Sequence, residues 1–223
     1  MDLLQAVEAR KSIRGFKPDP VPQAVIAELL SAALCTPSPV NTQPWEITVL
    51  TGAPLEALKQ ANMELLQSGA PRDPNADYGP HTGIYRRRQI DLAVQLFQLM
   101  GIGREDREKR AEWTALGCRY FDAPAAIIIV VDESVSEWCA LFSVGSLAQT
   151  IALLALNYGL GTCIQGQAIA YPEAVRRISG VPDAKRLIIG IALGYPDFDF
   201  PANRARAERL TLESAVSWCG FEE

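Results

Sequence analysis

The sequence predicts one α+β domain spanning residues 1–223, and two observations support this fold class. Apolar residues make up 48% of the 223 residues and are spread along the chain, which is enough for a full hydrophobic core. Segments with helical apolar spacing are interspersed with short β-branched runs, and no repeat, linker or low-complexity segment divides them.

The N-terminal part of the chain predicts two helices, a strand and a third helix. Apolar residues recur at three- and four-residue steps over 2–9 and 21–34, which is typical of amphipathic helices. The run EITVLT at 46–51 predicts a strand, and a helix follows near 54–67. Residues 68–83 are rich in Pro, Gly and Asp and have no periodicity. They predict a long surface excursion, which we expect to be mobile and to help shape a binding pocket.

The C-terminal part predicts a central strand and a long buried helix. The run APAAIIIVVD is β-branched and suits the middle of a sheet. The stretch 139–160 is apolar nearly all round, which is typical of a core helix or a dimer helix, and Gln149 and Asn157 within it argue against a membrane span. The remaining predicted elements are helices over IYRRRQIDLAVQLFQLMGI, EDREKRAEWTALGCRYF and PEAVRRISGV, and strands over GTCIQG and KRLIIGIALGYP.

Composition narrows the functional classes. A formal net charge of −5 argues against broad binding to nucleic acid or to anionic membranes, although a local cluster can still hold a single anion. The N-terminal sequence MDLLQAVEAR lacks the features of a signal peptide, so we expect a cytoplasmic protein. The five cysteines are scattered without a CxxC pair, which predicts reduced thiols buried as small apolar residues.

Several common catalytic sites are disfavoured. The one histidine, His81, lies in the excursion without a GxSxG or HExxH context, so we expect neither a Ser-His-Asp triad nor a metal site. The glycines of GLGTCIQG do not match GxGxxG and follow a helix, which disfavours a Rossmann nucleotide site. The run Arg86–Arg88 is more typical of a solvated helix face than of an anion patch.

The segment RKSIRGF concentrates three cations and a hydroxyl directly after the first helix. In an extended chain alternate side chains point the same way, so Arg10, Ser12 and Arg14 would share one face, opposite Lys11. Guanidinium groups with a hydroxyl suit a phosphate, because charge-assisted hydrogen bonds are the stronger ones. A set of surface salt bridges at a helix end explains the same residues, and this stretch alone leaves both interpretations open.

A second motif, PSPVNTQPW at 37–45, supports the first interpretation. The pattern Arg-x-Ser-x-Arg followed by Pro-Ser-x-x-Asn-x-Gln-Pro-Trp resembles the nitroreductase family of flavoproteins, most closely its nitrobenzoate reductase branch. Trp45 itself is more typical of core packing. The resemblance continues through FDAP (121–124), GLGTCIQG (159–166), GIALGYP (190–196) and NRARAER (203–209), and so covers essentially the whole chain.

The resemblance implies an FMN-dependent, intertwined homodimer with a central, mostly antiparallel sheet flanked by helices and with its active sites at the subunit interface. By the same resemblance Arg14 would approach the N1/O2 edge of the flavin, where a cation stabilises the charge of the reduced ring. No catalytic side chain is implied, because the flavin carries the chemistry. The implied cofactor-binding residues are Arg10, Lys11, Ser12, Arg206 and Arg209 at the phosphate end, Pro37, Ser38, Pro39 and Asn41 reaching the partner's flavin, and Ile164, Gln165 and Gly166 at one flavin face.

The implied activity is a ping-pong reduction. NADPH or NADH would reduce FMN and leave, and a small aromatic acceptor, either a nitroaromatic such as a nitrobenzoate or a quinone, would enter the same pocket. Arg88 is a candidate anchor for an acceptor carboxylate. The alternatives are other flavin reactions on this fold, namely reductive dehalogenation, flavin fragmentation or azoline oxidation, and a non-catalytic flavin carrier or sensor.

Overall fold

A four-stranded antiparallel sheet forms the centre of the computed structural model, which describes residues 1–76 and 79–221. Its strand order is β1-β2-β4-β3, and long stretches of chain separate β1 from β2 and β2 from β4. The strands are β1 (Trp45–Thr51), β2 (Ala125–Asp132), β3 (Gly161–Gln165) and β4 (Lys185–Gly194).

Strand β2 is the most deeply buried of these strands, as its β-branched sequence predicts. Seven of its eight residues are buried, and Ile129 lies opposite Ile47 on β1 and Ile189 on β4. Because successive side chains alternate between the two faces, Ile127 and Ile129 enter one core cluster while Ile128 enters the other. Both faces of the sheet are therefore covered.

The helices cover the two faces of the sheet. Helices α2 and α6 pack on the face with Ile127, and α3 and α7 pack on the face with Ile128. The bounds are α1 (Leu3–Ala9), α2 (Gln23–Ala33), α3 (Gly52–Gln67), α4 (Gly83–Leu99), α5 (Arg107–Cys118), α6 (Glu137–Asn157), α7 (Pro172–Ser179) and α8 (Leu212–Ala215). The predicted α+β class and the antiparallel sheet flanked by helices are confirmed.

Helix α6 is long and apolar enough to cross a membrane by length and composition alone. Eight of its residues are nevertheless buried, and it packs on α2 and the sheet, as the core helix of a soluble protein does. Near its N-terminus the opposite face is open: Trp138, Leu141 and Phe142 are more than half exposed, and no atom lies near the position of a Cβ on Gly145. This face is available for another helix.

The first part of the predicted excursion packs against the core. The Asp73 amide donates to the Ala170 carbonyl at 2.9 Å, and Ala76 is 3% exposed. A Cβ on Gly166 would lie 2.2 Å from the Ala76 carbonyl oxygen, so the two backbones are in direct contact. The composition of 68–83 did not predict this packing, and residues 77 and 78 of the excursion lie outside the described residues.

An ion-pair group ties one end of the sheet together. Lys185 on β4 donates to Glu46 on β1 at 2.6 Å and to Asp132 at the end of β2 at 3.0 Å. These carboxylates raise the pKa of Lys185. The hydroxyl and amide of Ser134, together with Lys185, hold the pKa of Asp132 well below its usual range. Ion pairs this exposed contribute little to stability at neutral pH, but they make it depend on pH.

Candidate functional site

The segment that follows α1 is held extended along the edge strand β3. Ser12 forms a parallel bridge with Thr162, the Ile13 amide donates to the Thr162 carbonyl at 2.9 Å, and Ile13 is 4% exposed. Burial raises the pKa of the thiol of Cys163, on the same strand, and the side chains that lower this pKa are those of Arg14, Ser12 and Arg10. The three side chains therefore lie around the Cys163 thiol.

The other cations of the proposed phosphate end come from the C-terminal segment. Burial and then the positive charge of Arg209 lower the pKa of Arg10. Burial and then the charge of Arg206 lower the pKa of Lys11. The structure thus brings two residues of the first motif next to two of the basic tail, nearly two hundred positions later in the chain. We call Arg10, Lys11, Arg14, Arg206 and Arg209 the cation cluster.

No carboxylate balances the cation cluster in the part of the chain that the structure describes. None of its five side chains is among the ion pairs found there. The tail arginines instead donate to backbone carbonyls: Arg206 to that of Glu8 at 3.4 Å, and Arg209 to that of Ala207 at 2.9 Å. Like charges held together without counter-charges favour a bound anion, so the alternative of surface salt bridges is not supported.

Asn203 organises the cation cluster, and the sequence motifs did not indicate it. Its side chain accepts from the Arg14 amide at 2.6 Å and donates to the Gly15 and Asp197 carbonyls, each at 2.7 Å. The Asn203 carbonyl accepts from the Lys11 ammonium group. Asn203 is 2% exposed, and its bond to the Gly15 carbonyl is buried while the other three are partly buried. The only available signal was an amide side chain in a short turn directly before the arginines.

The PSPVN loop projects away from the core of its own chain. Val40 has a φ of 45° and is 95% exposed, and Asn41 and Gln43 also have positive φ angles. A hydrogen bond within the loop stabilises its conformation: Ser38 Oγ accepts from the Gln43 amide at 2.8 Å. Among the described residues, no hydrogen bond joins the loop to the cation cluster. Trp45, directly after it, is 7% exposed in the core, so its predicted packing role is confirmed.

The segment Ile164–Gly166 covers the last two residues of β3 and the first residue after it. Ile164 is half-buried, and Gln165 is 4% exposed. Both polar atoms of the Gln165 amide lack a hydrogen-bond partner among the described residues. A buried, unpaired amide is costly, so a further polar partner is expected there. Gly166 does permit a close backbone approach, but the group that approaches it here is the Ala76 carbonyl.

Arg88 lies beside the basic tail. Its guanidinium is 6.0 Å from the centre of the Tyr85 ring, and it lines a cavity of ≈ 410 Å³ together with Gln95 and Arg206. A larger cavity of ≈ 910 Å³ lies between α3 and α5 and contains none of the candidate residues. Among the described residues, no group of three His, Cys, Asp or Glu side chains is placed to hold a metal ion.

An antiparallel sheet covered by helices on both faces makes this an α+β protein, and the cation cluster beside its edge strand is suited to a phosphate-bearing ligand. Solved structures of very similar fold include the FMN- and NADPH-dependent nitroreductase NfnB from Sphigopyxis sp. strain HMH (TM-score 0.94, 28% identity, covering 99% of this chain and 100% of that one). The FMN-dependent NfnB from Mycobacterium smegmatis in complex with NADPH matches with a TM-score of 0.91 and 27% identity over 98% of this chain and 100% of that one.

The chain belongs to the nitroreductase family, whose model matches residues 7–195. It is 30% identical to the 4-nitrobenzoate reductase of Pseudomonas putida, over 99% of this chain and 97% of that protein. It is 33% identical to the chloronitrobenzene nitroreductase of Comamonas testosteroni, over 95% and 94%. The resemblance drawn from the two motifs, including the nitrobenzoate reductase branch, is confirmed.

Proposed function

We propose that this protein is an FMN-dependent NAD(P)H oxidoreductase that reduces nitroaromatic acceptors, including nitrobenzoates, and also quinones. The observation that carries the proposal is the cation cluster, which has no carboxylate partner among the described residues. The chain's membership of the nitroreductase family identifies FMN as the expected anion. Bound FMN would supply the redox chemistry, a hydride-level transfer between NADPH or NADH and the acceptor.

The donor groups of this site fit FMN. Arg10, Lys11 and Ser12 from the first motif, with Arg206 and Arg209 from the tail, would hold the phosphate through charge-assisted hydrogen bonds. The side-chain amide of Gln165, at the end of β3, has no hydrogen-bond partner among the described residues and could bind a polar group of the cofactor. With Ile164 and Gly166, it would lie along one face of the ring system.

Arg14 would act on the reaction through its fixed charge. Asn203 accepts a hydrogen bond from the Arg14 amide at 2.6 Å, which holds the backbone of that residue in place. A positive group held at the N1/O2 edge of a flavin stabilises the negative charge that reduction places there. Solvent can supply the protons, so the proposal requires no side chain as a general acid.

We propose that the active unit is an intertwined homodimer in which the PSPVN loop, with Pro37, Ser38, Pro39 and Asn41, completes the partner's site. Three exposed apolar features support this. Val40 projects from the loop, the N-terminal face of α6 is open, and residues 206–221 are exposed throughout. Exposed apolar surface of this kind is typical of an interface, and the apolar residues of the tail are Leu210, Leu212, Val216, Trp218 and Phe221.

The remaining assignments are part of the same proposal. Residues 1–223 would act as one FMN-binding domain in the cytoplasm, without a nucleic-acid or membrane partner. Arg88 would bind the carboxylate of an acidic acceptor, and its position beside Arg206 extends the cationic surface towards α4.

The test is a visible absorption spectrum of the purified protein, followed by anaerobic addition of NADPH and then of 4-nitrobenzoate. We expect a flavin spectrum that bleaches with NADPH and returns with the nitroaromatic. A protein that takes up no FMN, or that binds it without acceptor-dependent turnover, would contradict the proposal, and the second result would favour a flavin carrier.

The phosphate end is tested separately by Arg209→Ala, with Arg204→Ala as the matched control. Arg204 is exposed in the same basic tail, but it does not influence the pKa of Arg10 or Lys11. We expect the Arg209 variant alone to lose FMN during dialysis. Equal retention in both variants would remove Arg209 from the site.

A further inference from the structure

The Gly166–Ile169 turn directly follows β3 and is clamped from three sides. A Cβ on Gly166 would lie 2.2 Å from the Ala76 carbonyl oxygen, one on Gly190 of β4 would lie 2.2 Å from the Ala168 Cβ, and one on Gly117 of α5 would lie 2.1 Å from Gln167 Oε1. Each distance is too short for a real Cβ, so the excursion, β4 and α5 approach the turn as closely as a glycine allows.

A polar contact adds a fourth constraint. The hydroxyl of Tyr120 donates to the Ala168 carbonyl at 2.6 Å, in the middle of this turn. Tyr120 is fully buried, and burial raises its pKa far above the usual range. The hydroxyl therefore stays protonated and remains a donor at any pH at which the protein is folded.

The backbone around Tyr120 is itself strained and fixed. Tyr120, Phe121 and Asp122 have φ angles of 59°, 54° and 55°, a left-handed run that bulky side chains rarely adopt. The run is closed by Arg119, whose Nε donates to Asp122 Oδ1 at 3.0 Å. Strain of this kind persists only where the surroundings hold it, so the position of the Tyr120 ring is well determined.

We propose that Tyr120 is a positioning residue for the flavin reaction: through the Ala168 carbonyl it fixes the Gly166–Ile169 turn, and with it the backbone of Ile164–Gly166 that faces the cofactor. This inference rests on the proposed function. The reason is chain continuity, because the turn begins at Gly166, where the proposed flavin-facing segment ends. Groups around a reacting centre must be held by a supporting layer if their geometry is to be productive.

The test compares Tyr120→Phe with Tyr171→Phe in the FMN-loaded protein. Tyr171 is a matched control, because it is a buried tyrosine two residues beyond the turn whose hydroxyl makes no hydrogen bond among the described residues. We expect Tyr120→Phe to retain FMN, to change the visible circular dichroism of the flavin, and to slow anaerobic reduction by NADPH about tenfold. Tyr171→Phe should leave the rate within about twofold of wild type.

A second variant keeps the inference open to refutation if Tyr120→Phe folds poorly. Asp122→Asn removes the negative charge that pairs with Arg119 at the end of the strained run, and it should shift the same two signals in the same direction by less. If Tyr120→Phe and Asp122→Asn lower only the melting temperature, with flavin signals equal to those of Tyr171→Phe, then Tyr120 is merely structural and the inference is wrong.

Hydrogen exchange separates this inference from the proposed function, because it needs no flavin. We expect amides of 166–170 to exchange faster in FMN-free Tyr120→Phe than in FMN-free wild type and Tyr171→Phe. Unchanged protection would overturn the inference even in an active enzyme. A wild type that binds no FMN would overturn the proposed function, and with it the flavin role of Tyr120.

Discussion

Replacing Asn203 by alanine should both destabilise the protein and weaken FMN binding. The change removes the side chain that links the backbone of the first motif to the C-terminal turn. It leaves the Arg14 amide without its partner, and it leaves the carbonyls of Gly15 and Asp197 with only their bonds from backbone amides. Because Asn203 is 2% exposed and its bond to Gly15 is buried, water replaces these bonds only in part.

The magnitude follows from the three side-chain hydrogen bonds, at 2.6, 2.7 and 2.7 Å. At about 1 kcal/mol of net stability each, their loss should lower the free energy of unfolding by about 3 kcal/mol. We assume that about half of this free energy must be recovered when FMN orders the site. Since 1.4 kcal/mol corresponds to a factor of ten, the FMN dissociation constant should then rise about tenfold.

The assay has two parts, urea unfolding followed by tryptophan fluorescence and FMN titration followed by flavin fluorescence. Asn157→Ala is the control, because Asn157 is exposed at the end of α6. A third variant, Asn203→Asp, keeps the oxygen that accepts from the Arg14 amide. It replaces the NH₂ group that donates to the Gly15 and Asp197 carbonyls with a second acceptor oxygen. It also places a negative charge beside Lys11, so its FMN affinity should fall below that of the alanine variant.

The reasoning is refuted if Asn203→Ala has the unfolding midpoint and the FMN affinity of Asn157→Ala. A loss of stability with unchanged FMN affinity would refute the second half alone. In that case the C-terminal turn would be needed for folding, while the cation cluster would assemble without it.

Three further predictions concern charge and assembly. Arg14→Ala should make the midpoint potential of bound FMN more negative, measured by spectroelectrochemistry; an unchanged potential would argue against a role at the N1/O2 edge. Because Ser134 lowers the pKa of folded Asp132, the stability from this carboxylate is present above its unfolded pKa of about 3.9 and is lost as the pH falls through the lower folded value. Asp132→Asn should therefore flatten the acid side of a plot of melting temperature against pH, whereas an identical plot would contradict this. Phe142→Glu on α6 should give a monomer in sedimentation velocity, while Phe198→Glu, at a similarly exposed phenylalanine, should not.

Periodicity predicted the elements of the fold well, because the signal is local. The strand β2 is specified by eight consecutive residues of consistent character, and the helix α6 by 21. The strand order was not predictable in this way. In the structure β2 pairs with β4 and Ile129 lies opposite Ile189, but neither strand's sequence indicates which strand it pairs with.

The charged residues of the candidate site could be predicted from the sequence. The residues that act by hydrogen bonding to backbone groups could not. Arg10 and Arg209 are conspicuous in the sequence, and the structure places them close enough for one to lower the pKa of the other. Asn203 and Tyr120 are inconspicuous, since each acts by bonding main-chain atoms far away in sequence. Their partners are known only after the chain is folded.

The cysteines show the same limit. No disulfide joins the cysteines in the part of the chain that the structure describes, and Cys118 and Cys163 are buried as expected. Cys35 and Cys219 are exposed, so burial was wrong for them. Composition gives the average environment of a residue type, whereas an individual position depends on which face of its element meets the core.

The unbalanced charge of the cation cluster gives the protein an unusual response to ionic strength. Without a bound anion the five cations repel one another, and added salt screens that repulsion, so the FMN-free protein should become more stable as salt is added. With FMN bound, the same screening weakens the attraction to the phosphate and releases the cofactor. The two forms should therefore respond to salt in opposite directions, and inorganic phosphate should protect the FMN-free protein more than chloride does.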